Sequence, residues 1–110
     1  MSSRSKKQVF FPNIVDLGTF EIPLGDQGGQ LALHVGLRIE ARSPGLKQEV
    51  ERRAVQVQGT VKGVIEIKTL KELTDVAGKI LLKNELTAAL NRTLETGKVL
   101  NVYFYEFVIE

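Results

Sequence analysis

The sequence predicts an α+β fold: a mostly antiparallel sheet with two main helices packed on it. Three observations carry this. Residues 30–42 alternate, with Leu31, Leu33, Val35, Leu37, Ile39 and Ala41 on one face and Gln30, Ala32, His34, Gly36, Arg38, Glu40 and Arg42 on the other, the mark of a half-buried antiparallel strand. Two later segments carry apolar residues at spacings of three and four, the helical period. The last fourteen residues, GKVLNVYFYEFVIE, are rich in β-branched and aromatic side chains and hold neither Pro nor an internal Gly after Gly97.

In chain order, residues 1–8 are polar, basic and serine-rich, and read as a disordered arm, a linker or a vector-derived scar. A single domain then occupies residues 9–110. Residues 9–17 alternate weakly, and Pro12 confines their start to an edge or an irregular lead-in. Gly18 is expected to break this piece from a second extended piece at 19–24. The glycine-rich loop at 25–29 supplies the turn chemistry of a hairpin into the alternating strand. It is no phosphate cradle, since no Lys-Ser/Thr follows and no helix N-terminus receives the anion.

Ser43 and Pro44 are suited to the N-cap and first position of a helix. Its stripe is Leu46, Val50, Ala54, Val57, Val61, Val64 and Ile65, and Gly59 and Gly63 make it dependent on packing. Thr69 and Glu72 have the spacing of a capping box. A second main helix runs from a cap at Asp75, through Leu82, Leu86, Ala89, Leu90 and Leu94, to an expected left-handed C-cap at Gly97. The terminal strand points Val99, Tyr103, Tyr105, Phe107 and Ile109 one way and Leu100, Val102, Phe104 and Val108 the other. Both faces being apolar, it is expected in the interior of the sheet, covered on each side.

Chemistry is sparse. With 110 residues the chain can bury a core without staples, and with no cysteine there are no disulfides, thiol chemistry or zinc clusters. The net charge of +2, with signs mixed along the chain, gives no nucleic-acid signature, and the aromatics lie away from the basic arm. There is no apolar run long enough to span a membrane. His34, the sole histidine, has no second ligand or nucleophile, so a metal site, a cofactor site and a catalytic set are all absent from the expectation. Glu106 stands within the apolar terminal run, where its charge must reach solvent, a cation or an interface.

The terminal stretch 97–109, preceded by Lys68-Thr69-Leu70-Lys71-Glu72-Leu73, Gly78, Leu82 and Asn91, resembles the C-terminal periplasmic region of the FliL family of flagellar basal-body proteins. The likeness spans about residues 30–110 and is strongest in the final dozen, although Tyr105 replaces a usual small polar residue and Glu110 a usual amide. The resemblance implies a stomatin- and prohibitin-like (SPFH) fold, no enzymatic activity, and a transmembrane helix ahead of Val9 in the inner membrane. It further implies a domain on the periplasmic face that self-associates as a ring around the stator subunit MotB and supports the MotA/MotB stator, favouring its extended, ion-conducting form. Independently, an alternating strand with a charged second face suits protein contact. The expected contact residues are His34, Arg38, Glu40, Arg42 and Glu106. The alternatives are a stomatin-like membrane scaffold unrelated to motility and a small ligand-binding domain, the latter requiring a concave polar pocket.

Overall fold

The computed structural model describes residues 13–110. Strands β1 (Asn13–Pro23), β2 (Ala32–Ala41) and β3 (Val99–Ile109) make one antiparallel sheet in the order β1-β2-β3. Four helices, α1 (Gly45–Arg52), α2 (Ala54–Ile65), α3 (Leu70–Thr74) and α4 (Val76–Thr93), connect β2 to β3. The class is α+β, as the periodicities predict. The expected arm at 1–8 and the lead-in at 9–12 lie outside the described residues.

β2 is the central strand, and its alternation sets the core. Leu33, Val35, Leu37, Ile39 and Ala41 are buried against Leu46, Val57, Val61 and Ile65 from α1 and α2 and Leu82, Leu86 and Leu90 from α4. Each fully buried aliphatic side chain contributes about 1.5–3 kcal/mol. Leu94 extends the predicted α4 stripe, and Ala89 is buried on the same helix. Among the described residues the sheet's other face carries no helix.

Three bulges correct the strand readings. β1 is continuous across Gly18: the register slips between Asp16 and Gly18, Gly18 has φ +89°, and its N–H donates to the Asp16 carboxylate at 2.8 Å. In β3 the register slips at Leu100 and again at Tyr105. Each extra residue reverses the alternation beyond it. The core face of β3 is therefore Val99, Val102, Phe104, Phe107 and Ile109, opposite Ala41, Ile39, Leu37, Val35 and Leu33. The expectation of an interior strand shielded on both faces is overturned as well: among the described residues β3 pairs only with β2, and Leu100, Tyr103, Tyr105 and Val108 are exposed.

The helical segment after β2 is two helices, not one. Arg53 interrupts it with φ −108° and ψ 31°, while Arg53 N–H still donates to Glu49 and Val57 N–H to Arg53. The first helix begins at Gly45, with Pro44 at the N-cap position where Ser43 is expected. The capping box is present in full: the Glu72 N–H donates to Thr69 Oγ1 at 3.1 Å and the Thr69 N–H to Glu72 Oε1 at 2.9 Å. Asp75 occupies the N-cap position of α4 without a side-chain bond. At Gly78 a Cβ would lie 2.0 Å from the Glu72 carbonyl oxygen, so only glycine lets α4 start this close to α3.

Gly97 does not cap α4, which ends at Thr93 with Leu94 as C-cap. The turn into β3 is held instead by Glu49, a carboxylate only 1% exposed that the sequence reading passed over. It accepts from the Glu95 N–H at 2.8 and 3.0 Å, from the Thr96 N–H at 2.7 Å and from the Thr96 hydroxyl. Arg53 lies 3.3 Å from it, donates to the Thr93 carbonyl at 3.1 Å and reaches Glu95 at 3.4 Å. Burial by itself would raise the Glu49 carboxyl, but the Thr96 side chain, the Thr96 and Glu95 amides and the Arg53 charge together hold it below its ordinary value. Asn91 fastens the next residue of the path: its amide accepts from the Val99 N–H at 2.7 Å and donates to the Val99 carbonyl at 3.2 Å, as a neighbouring strand would.

Candidate functional site

The uncovered sheet face collects one polar row from each strand. Cross-strand register aligns Glu21, His34 and Val108; Thr19, Gly36 and Glu106; Asp16, Arg38 and Tyr103; and Ile14, Glu40 and Asn101. Four of the five expected contact residues, His34, Arg38, Glu40 and Glu106, thus share this face. Arg42 lies one residue beyond β2, where its N–H donates to the Lys98 carbonyl at 2.9 Å.

Two networks order the face. Around Arg38, the guanidinium lies 4.2 Å from the centroid of the Tyr105 ring and 3.8 Å from Asp16, while the Tyr105 hydroxyl donates to Asp16 at 3.1 Å. The ring rests on Gly36, where a Cβ would come within 2.5 Å of it. Alternation from Tyr103 puts Tyr105 on this face, and the bulge there keeps the next residue, Glu106, on it too. Around Glu40, Asn101 donates at 2.8 Å and the Tyr103 hydroxyl at 2.9 Å to the same carboxylate oxygen. These two bonds, Asn101 first, lower the Glu40 carboxyl, and Glu40 in turn raises the Tyr103 phenol. Desolvation and then Asp16 raise the Tyr105 phenol. Both tyrosines stay neutral hydrogen-bond donors at neutral pH.

His34 sits 4.0 Å from Glu110, and Glu106 has no salt-bridge partner among the described residues. The face carries Asp16, Glu21, Glu40, Glu106 and Glu110 against Arg38, an acidic excess over an aromatic and aliphatic ground of Ile14, Tyr103, Tyr105 and Val108. Sequence periodicity found the β2 members but missed Asp16, Asn101, Tyr103 and Tyr105, which join only through register. The chemistry available is recognition: tyrosine and arginine held in place by cross-strand contacts on a solvent-facing sheet. Among the described residues no group of three or more His, Asp or Glu could hold a metal ion. No helix of the described residues is long and apolar enough to cross a membrane.

Comparison with known proteins gives a consistent result. The family model for flagellar basal body-associated protein FliL matches residues 14–109. The flagellar protein FliL of Aquifex aeolicus (strain VF5) is 30% identical over 91 residues, 83% of this chain and 56% of that protein. The flagellar protein FliL of Bacillus subtilis (strain 168) is 28% identical over 78 residues, 71% of this chain and 56% of that protein. The chain thus spans a little over half the length of the curated relatives it matches.

Proposed function

Since the chain belongs to the family of flagellar basal body-associated FliL proteins, we propose that it is a non-enzymatic scaffold of the flagellar motor that self-associates and supports assembly or activation of the MotA/MotB stator. On this reading the domain has the stomatin-like architecture and works at the periplasmic face of the inner membrane, tethered by a membrane span ahead of it. The observation that carries the reading is the uncovered sheet face, on which Arg38, Tyr103, Tyr105 and Glu40 are fixed by cross-strand bonds before any partner arrives. Preordering reduces the entropy lost on association.

Self-association in one direction needs two unlike surfaces. The outward side of α4 is a suitable complement, with Val76, Ile80 and Leu81 exposed near Lys79 and Lys83. A small-molecule role finds less support, because the two roomiest depressions lie away from the tyrosine and arginine cluster. The test is the mass of the 110-residue chain over a concentration series, with co-purification of a stator periplasmic fragment. Arg38→Glu and Arg42→Glu are expected to lower self-association and stator capture while leaving the unfolding midpoint unchanged. Unaltered association in both variants removes this face from the function.

A further inference from the structure

The structure points to a second recognition site, and we propose that the groove between the outer edge of β1 and helices α1 and α2 accepts an extended peptide bearing Lys or Arg as a short added strand. Three depressions follow one another there. One of about 390 Å³ is lined by Glu21, Ile22, Pro23, Gly25, Lys62 and Glu66. The next, of about 170 Å³, shares Glu21 and Lys62 with it and adds Thr19, Phe20 and Gln58. The third, of about 140 Å³, shares Gln58 and continues along Asp16, Leu17, Val50 and Val57. Sharing lining residues, the three follow one another along β1 from Asp16 to Pro23.

The trough has what strand addition requires. Among the described residues β1 pairs with β2 alone, which leaves its outer backbone groups to a newcomer. Its two ends are apolar, from Ile22 and Pro23 at one and Leu17, Val50 and Val57 at the other, while the middle is polar, with Thr19, Gln58 and Lys62. Its rim carries the carboxylates of Glu21, Glu51 and Glu66 against the single ammonium of Lys62, and no salt bridge among the described residues engages any of the four. A partner with alternating apolar and cationic side chains matches both, since alternate residues of a strand face opposite ways.

The two sheet edges are treated differently. Lys79 and Lys83 of α4 lie 4.9 and 5.6 Å over the rings of Phe107 and Phe104, and two bulges distort β3, so that edge is guarded. β1 contains neither Lys nor Arg. The slip before Gly18 and the missing N–H of Pro23 confine regular pairing to residues 18–22, which suits a short peptide segment and not the doubly bulged β3 of a second copy.

The probe is a capped octapeptide alternating valine and lysine, titrated into the nitrogen-15-labelled chain. Expected are amide shift changes at Thr19, Phe20, Glu21 and Ile22 and at Gln58, Lys62 and Glu66, slowed exchange of β1 amides, and affinity that falls with salt. The double variant Glu21→Lys with Glu66→Lys weakens binding about tenfold at an unchanged unfolding midpoint. Tyr103→Phe, which removes the bond to Glu40 on β2 and touches no residue of the trough, leaves it unchanged and separates this site from the open sheet face. Equal binding of the valine–glutamate peptide, shifts centred on residues 101–108, a helical bound peptide, growth in mass from copies joining edge to edge, or indifference to the double variant would each overturn the proposal.

Discussion

The ring of Tyr105 lies across Gly36 so closely that a methyl group on residue 36 would meet Cε1 at 2.5 Å. The contact joins a bulged residue of β3 to the one position of β2 that has no side chain to compete for the space. It also brings the ring beneath Arg38 and its hydroxyl to Asp16, so three strands are linked by one tyrosine.

Gly36→Ala therefore separates the face from the fold. The ring is at an exposed edge and can swing away, so stability should change by no more than about 1 kcal/mol. The Arg38 stack and the Asp16 bond should both be lost. Disappearance of ring-current shifts from the Arg38 side chain, with urea unfolding nearly unchanged, is the expected pair of results.

Glu49→Gln should be costly. Its carboxylate receives two backbone amides and a hydroxyl and neutralises Arg53, whereas a carboxamide turns an NH₂ toward donors. A loss of about 1–3 kcal/mol is expected by denaturant unfolding. Glu51→Gln, exposed on the same helix, serves as the control and should stay within about 0.5 kcal/mol.

The same carboxylate sets a pH dependence. Its folded-state value is depressed, so its contribution is fully present above the unfolded value of about 4.3 and disappears as pH falls through the lower folded value. Stability should be flat in this contribution from neutrality down to about pH 5 and then fall toward pH 3. In Glu49→Gln the fall should be shallower, as measured by unfolding midpoints across that range. Glu72 in the capping box shifts in the same direction and leaves a residual slope.

Asn91→Ala removes both bonds to Val99 and leaves that strand-entry backbone without its partner. A cost of about 1–3 kcal/mol is expected. Hydrogen exchange should quicken at Val99 more than at Val102, which stays paired with Ile39.

What could be read from the residues alone depended on whether a pattern was local. β2 alternates without interruption, the α4 stripe keeps its period, and the Thr69–Glu72 box needs only four residues, so each was legible. In β3 the alternation is a property of the ladder, and two extra residues, Leu100 and Tyr105, reversed it in places no composition marks. An apolar run with such bulges looks like a doubly covered strand when, among the described residues, it is an edge strand with a tyrosine-bearing outer face. Glu49 was hidden for another reason: on an amphipathic helix a carboxylate reads as solvated, and its partners lie 46 and 47 residues away. The open face was half legible, since His34, Arg38 and Glu40 follow from β2 while Asp16, Asn101, Tyr103 and Tyr105 reach them only across strands.

The strand order has a mechanical meaning. Asn13 is opposite Ala41 at one end of the sheet, and Ile109 is opposite Leu33 at the other. Tension drawn between the beginning of β1 and the end of β3 consequently runs lengthwise through both ladders and strains their bonds together, in shear, where a peeling load would break them in succession. A domain strung this way yields late and all at once.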